Sequence, residues 1–217
     1  KHGGNVIAVE GQADTAKMHQ FGFDNTCGLK GTIFNDDTIK LLTQFKIQEV
    51  ILLLDGDEAG RNATRSIVSK YYAASERPNI RLRVANIFGY DPDEFLNAFG
   101  RDRMQEVLDK AVYAIEYIIN DVFAARPYGT TTERIDLLRE LQPYINNADQ
   151  IEKKLAIHEV ATRLQMDVVF VEDFFKMNNT VTKYQLYSID GERTVLAECI
   201  RNTEFLISIM DTVKADD

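Results

Sequence analysis

A chain of 217 residues, 45% hydrophobic and 27% charged, is long enough for one large domain or two small ones and has the composition of ordinary globular protein. No apolar run approaches the length of a bilayer span, and the first residues carry no signal-peptide pattern. The net charge of −9 argues against tight, autonomous DNA binding through a broad basic surface, although a cluster of catalytic carboxylates would itself lower the charge.

The opening "KHGGNVIAVEG" has no Met and runs almost directly into a strand-like segment, so the sequence is expected to start inside a longer protein. "NVIAVEG" (5–11) reads as a strand and "ADTAKMHQFGF" (13–23) as a helix. "NTCGLKGT" (25–32) is a short strand with a glycine-containing loop. "NDDTIKLLTQF" (35–45) is a helix with an Asn or Asp cap. "EVILLLDGD" (49–57) has the continuous apolar run of a strand buried on both faces. "AGRNATRSIVSKYYAAS" (59–75) is a helix and "IRLRVANI" (80–87) another strand. Strands alternating with helices imply a parallel sheet with right-handed crossovers.

From Asp93 the period becomes helical throughout. "DEFLNAFG", "DRMQEVLDKAVYAIEYIINDVFAA", "TTTERIDLLRELQPYI" and "NADQIEKKLAIHEVATRLQ" are punctuated by Gly100, Pro127–Gly129 and Asn146–Asn147. "MDVVFVEDFFKM" (166–177) permits a strand, but its Asp-Phe-Phe end and its place after a helical pair favour a helix. "NNTVTKYQLYSIDG" (178–191) reads as a polar linker, and residues 192–213 as a final amphipathic helix. Cys27 and Cys199 are far apart and form no CxxC or CxxH pair, so neither a disulfide framework nor a zinc site is expected, and a cytoplasmic location fits.

In a parallel sheet, ligands bind outside the carboxyl ends of the strands. Four segments place acids or glycines there: Glu10, Gly11 and Asp14; Gly28 and Gly31; Asp55 and Asp57; Asp91 and Asp93. Residues i and i+2 of a strand project to one face, so Asp55 and Asp57 converge if the strand continues through Gly56, and Asp91 and Asp93 do the same around Pro92. Carboxylates at short range repel, and a divalent cation relieves the repulsion. An all-oxygen set suits magnesium or manganese rather than zinc, and points to phosphoryl or nucleotidyl transfer or phosphodiester cleavage. Each element has a plainer reading: Asp-Gly-Asp also makes a turn, "DPDE" also caps a helix, and the glycines of "CGLKGT" also close a loop. Arg61 and Arg65 read as a solvated face, with phosphate contact as the second reading. His2, His19 and His158 have no ligand spacing and are taken as structural or surface. The weight lies in the acids following successive strands.

"VIAVEGQADTAKMHQFGF", "CGLKGT", "VILLLDGDEAGRNA" and "DPDEFLNAFG" together resemble the Toprim domain of bacterial (DnaG-type) DNA primases, over about residues 5–100. Toprim domains also occur in topoisomerases, recombination proteins and small nucleases. The resemblance implies an α/β Toprim fold, a Rossmann-like parallel sheet with flanking helices, in residues 1–100. It implies a helical bundle over 101–178. Residues 179–217 would form a linker and the first helix of a region that contacts the replicative helicase. Glu10 corresponds to the family's general acid/base, which is also linked to the metal. Asp55 and Asp57 correspond to the metal-binding pair, and Asp14, Asp91 and Asp93 to the remaining acids of the cluster. Gly31 and Arg61 are candidates for phosphate contact. The implied cofactor is Mg2+ or Mn2+, without zinc. The implied activity is that of a DNA-directed RNA polymerase, a nucleotidyltransferase. Its partners would be single-stranded DNA template, ribonucleoside triphosphates and replicative helicase, with no membrane.

The zinc-binding module and basic subdomain that precede Toprim in those primases have no counterpart in this sequence. The chain is therefore expected to bind divalent metal but to prime poorly or not at all. A stand-alone Toprim nuclease or topoisomerase-like enzyme uses the same acids. A topoisomerase would also need a nucleophilic tyrosine domain, and Tyr184 and Tyr187 read only as packing residues. A helicase-docking fragment with idle acids is the non-enzymatic reading.

Overall fold

A computed structural model describes residues 4–29, 41–74 and 79–181, and its chain divides into two compact units, Lys1–Met166 and Asp167–Asp217. Strand β1 (Asn5–Val9) leads into helix α1 (Gln12–Gln20), then β2 (Thr26–Gly28). After a helical turn at residues 41–44 come β3 (Glu49–Leu52), α2 (Glu58–Ala73) and β4 (Arg81–Val84). Helix α3 (Pro92–Asp109) precedes β5 (Val112–Tyr113), which is followed by α4 (Ala114–Ala125), α5 (Thr131–Asn147) and α6 (Gln150–Leu164). The described part of the second unit is helix α7 (Val168–Val181). Among the described residues no helix is long and apolar enough to cross a membrane.

The sheet order is β2-β1-β3-β4-β5. The first three pairings are parallel, with Ile7 opposite Thr26 and Ile51, and Ile51 opposite Arg83. All four residues of β3 are buried, as its unbroken apolar run requires of a central strand. Ile7, Val9, Met18, Ile51, Leu53 and Leu96 share one apolar cluster, which seats α1 and α3 against the sheet.

The pairing of β5 with β4 is antiparallel, which departs from the expected all-parallel sheet. It also breaks the helix expected through residues 102–125, because Lys110 ends α3 and two residues of strand intervene before α4. Arg83 anchors this edge: its Nε donates to the Ala111 carbonyl at 3.0 Å and its Nη2 to that of Asp109 at 3.2 Å. Its Nη1 lies 3.5 Å from Glu49, a buried acid that Arg81 also approaches.

Gly100 adopts φ +78° and kinks α3, as its place in the helical period suggests. The strand expected over 49–57 ends at Leu52, and the linker expected from residue 178 starts later, because α7 runs through Val181. Residues 35–40 of the expected second helix, Gly31, His2, Tyr184, Tyr187 and the final helix at 192–213 lie outside the described residues.

Arg65 corrects another expectation. It is neither a solvated face nor a phosphate contact, but pairs through Nη2 with Asp121 of α4 and lies 4.0 Å from Glu140 of α5. Ser69 and Tyr144 share a hydrogen bond of 2.9 Å between α2 and α5. These links join the sheet's flanking helix to the helical region.

Gly60 lets the first turn of α2 sit directly on the Asp55 backbone. A Cβ there would stand 2.1 Å from the Asp55 carbonyl oxygen, a distance only backbone movement could relieve. Gly60→Ala is therefore expected to cost about 1–3 kcal/mol, the usual penalty of overpacking. Urea unfolding monitored by circular dichroism measures it, and an unchanged midpoint would show that the approach is not tight.

Candidate active site

Three helix starts meet the carboxyl edge of the sheet, and each is led by an acid. Glu10 and Gly11 follow β1, and Asp14, in the first turn of α1, accepts the Gly11 N–H at 3.0 Å. Asp57 caps α2 by accepting the Gly60 N–H at 2.8 Å. Asp91 caps α3 by accepting the Glu94 N–H at 2.7 Å, with Pro92 next to it at the first helical position. The plainer readings of "DGD" and "DPDE" as turn and cap are thus correct at Asp57 and Asp91. Capping and clustering coexist, because each bond occupies one carboxylate oxygen and leaves the other.

The two later acid loops are tied to each other. The Gly56 N–H donates to the Tyr90 carbonyl at 2.8 Å and the Gly89 N–H to the Gly56 carbonyl at 3.2 Å. A Cβ on Gly56 would lie 2.5 Å from the Gly89 nitrogen, so the approach requires glycine.

Asp55 stands at the focus. Its Oδ1 is buried and accepts no hydrogen bond among the described residues. Its carboxyl is pushed up to about 6, first by burial and then by the charges of Glu10, Asp14, Asp91 and Asp57. Five of the six predicted acids are therefore electrostatic neighbours. The convergence does not arise from strand alternation, since β3 stops three residues before Asp55. It arises because a loop carries Asp55 under the cap of the next helix.

Asp93 is the exception. It pairs with Lys17 Nζ at 2.9 Å and accepts the Asn97 side-chain amide at 3.2 Å, bridging α1 and α3. Residues i and i+2 of a helix do not face each other, so Asp91 and Asp93 diverge where a strand would have aligned them. Lys17 was missed in the sequence because nothing in its spacing links it to a residue 76 positions on.

Arg61 is exposed and its Nη1 donates to the Gly56 carbonyl at 3.2 Å, which holds its guanidinium beside the Asp55–Asp57 loop. Glu10 lies on the rim of a cavity of about 380 Å³ whose wall includes Gln12, Thr15, His19 and Gly28. His19 is structural, as expected: its Nε2 meets the Thr26 carbonyl at 2.9 Å. His158 is exposed on α6.

The donor set is all carboxylate oxygen, which fits a hard divalent cation, and the unpartnered Oδ1 of Asp55 is the atom such an ion would satisfy. Among the described residues no three acids stand close enough to hold an ion as placed.

Residues 5–87 match the Toprim domain. The chain has the Toprim fold over that stretch, a mostly parallel sheet flanked by helices, followed by a helical region. Over 215 residues it is 25% identical to the DNA primase of Clostridium acetobutylicum, covering 96% of this chain and 35% of that protein. The crystal structure of a DNA primase domain from Pseudomonas aeruginosa aligns with a TM-score of 0.66 at 20% identity, over 79% of this chain and 54% of that one. The structure of a DnaG primase catalytic domain bound to single-stranded DNA gives 0.65 at 23% identity, over 76% and 53%. The resemblance to bacterial DNA primases thus extends over both the sheet and the helices behind it, in a chain that spans only part of its relatives' length.

The raised Asp55 carboxyl has a signed consequence. Folded, Asp55 keeps its proton up to about pH 6; unfolded, it releases it near pH 4. The stability associated with that proton is complete below the unfolded value and is lost as the pH rises through 6. With chelator present, Asp55→Asn is expected to raise the melting temperature at pH 7.5 by about 2–4 °C, the shift that roughly 1 kcal/mol produces in a domain of this size. The gain should vanish towards pH 4. A loss of stability at both pH values, read by differential scanning fluorimetry, would show that Asp55 is not under repulsion.

Proposed function

We propose that this chain is part of the catalytic core of a DNA primase, which makes short RNA primers on single-stranded DNA by metal-dependent nucleotidyl transfer during replication. The observation that carries this reading is Asp55, with a buried, unpartnered oxygen and four acids pressing on it at the sheet's carboxyl edge. The similarity to primases over nearly the whole chain favours this reading over a stand-alone nuclease or a topoisomerase-like enzyme.

Asp55 and Asp57 would hold Mg2+ or Mn2+, with Glu10, Asp14 and Asp91 completing its surroundings. Asp93 would join only by leaving Lys17, and that pair is exposed enough to break at little cost. A bound divalent ion neutralises the charge that develops on the transferred phosphoryl group and the departing pyrophosphate. The chain's own groups do the rest. Glu10, exposed beside its cavity, takes the proton of the attacking 3′-hydroxyl. The capping bonds to Gly11, Gly60 and Glu94 hold Asp14, Asp57 and Asp91 in fixed rotamers. Arg61, steadied by the Gly56 carbonyl, offers its remaining donors to the triphosphate.

Template is the partner supported by the primase neighbour solved with single-stranded DNA. Ribonucleoside triphosphates are the substrates. Residues 1–100 would be the Toprim domain and 101–178 the helical subdomain, with 179–217 assigned to contact with the replicative helicase. With a net charge of −9, the chain by itself is expected to prime slowly.

Primer synthesis on a single-stranded template with ribonucleotides and Mn2+ tests the reading, at protein concentrations where slow synthesis registers. Asp55→Ala and Glu10→Gln should each lower it by about 100-fold or more. Metal-dependent strand cleavage without synthesis would replace primase by nuclease. Helicase binding with no metal-dependent chemistry would leave a docking fragment.

A further inference from the structure

A second cavity, of about 320 Å³, is lined by the loop that leads to Asp91 and by α3. Its wall includes Phe88, Tyr90, Phe95, Phe99, Arg103 and Lys110. Three of these rings are exposed: Phe88 to 76%, Phe99 to 48% and Tyr90 to 39%. Tyr90, Phe95 and Phe99 pack on one another, with centroids 4.8–6.0 Å apart, and form one aromatic platform. Phe88 stands clear of that stack. The core leaves Phe88, Tyr90 and Phe99 uncovered, whereas Phe95 is buried beneath them.

The rim of the cavity has a particular chemistry. In a chain of net charge −9, two cations stand here beside aromatic rings. Arg103 pairs with Glu106, three residues on, and both are more than half exposed. Such a pair is worth little and yields readily to a phosphate. The described residues give Lys110 no ion pair. Aromatic faces flanked by Arg and Lys are the combination that binds single-stranded nucleic acid, the rings stacking on bases and the cations contacting phosphates. The volume sits at the low end of ligand cavities, roughly 300–1,000 Å³.

Position supplies the remaining argument. The Tyr90 carbonyl accepts the Gly56 N–H, and Asp91, one residue on, presses on Asp55. The cavity is thus joined through one loop to the acid cluster. We infer that it is a stacking site for a base of the single-stranded nucleic acid on which the acid cluster acts. The inference rests on the primase reading for its ligand.

The chain contains no tryptophan, so Phe88→Trp introduces a single reporter at an exposed position. Titration with single-stranded oligothymidylate should quench the introduced indole and saturate. By fluorescence anisotropy of labelled oligonucleotide, Phe88→Ala should weaken binding about fivefold to a hundredfold, the range of one lost base–aromatic stack. Lys110→Gln should reduce the slope of log affinity against log salt by about one. An indole unchanged at oligonucleotide concentrations that saturate anisotropy overturns the inference, as does unaltered affinity in Phe88→Ala or no detectable binding at all. Quenching by an apolar peptide but not by oligonucleotide assigns the cavity to a protein partner and equally overturns it. The two proposals fail separately. Synthesis that requires Asp55 with no quenching removes the stacking site alone, whereas quenching with synthesis indifferent to Asp55→Ala removes the primase reading and leaves the stacking site supported.

Discussion

Repulsion among carboxylates at one edge of the sheet is the constraint around which the Toprim domain is organised. Burial first, and then the charges of four other acids, raise the proton affinity of Asp55, and no cation among the described residues pairs with it. The chain tolerates this because three of the acids also serve helix starts, Asp57 and Asp91 as caps and Asp14 from the first turn. Asp14, Asp57 and Asp91 each accept a backbone N–H at the start of α1, α2 and α3, where the helix dipole favours negative charge. A cap contributes about 0.5–2 kcal/mol to the helix it starts. Asp55 has no such bond, so the unrelieved part of the repulsion falls on it. The acids therefore divide by what their loss would do. Removing a capping acid relieves charge but frays a helix, whereas removing Asp55 relieves charge alone.

The glycines convert this electrostatic arrangement into a fixed shape. Gly60 seats α2 on the Asp55 backbone, and Gly56 lets the loop after β3 hydrogen-bond to the loop after β4. Without those approaches the loops would separate by at least the thickness of a side chain, and Asp91 would move away from Asp55. Close backbone contact, rather than strand alternation, sets the spacing of the acids.

Much of this was legible in the sequence. The apolar runs of β1 and β3 and the helical periods of α2, α5 and α6 depend on burial that recurs at a regular interval, and they appear where the pattern places them. That acids follow successive strands was readable too, because chain order carries it. The mechanism of their convergence was not. The apolar run continues through Leu53 and Leu54 after the strand pairing ends, since those residues are buried without being in the sheet. Strand β5 left no trace, because two residues between helices make no period. Strand geometry was expected at all four aspartates, but Asp55 and Asp57 follow the end of β3 in a loop and a helix cap, and Asp93 lies where α3 has already begun. Arg65 looked free because its partners, Asp121 and Glu140, come from helices 56 and 75 positions away.

Those long-range partners also bear on how so acidic a chain would meet the nucleic acid proposed for it. Arg65, Arg81, Arg83 and Arg126 each face a carboxylate within the fold, and Arg101 lies over the Phe23 ring while donating to the Phe21 carbonyl. Cations committed in this way release no counterions on binding, and so add little to salt-dependent affinity. Among the described residues, Arg61 stands beside the acid cluster with donors to spare, and Arg103 and Lys110 line the aromatic cavity. Affinity for a polyanion assembled from so few phosphate contacts must draw on stacking instead. A surface of that kind tolerates a strongly negative site next to it, because stacking, unlike phosphate attraction, is not weakened by neighbouring carboxylates.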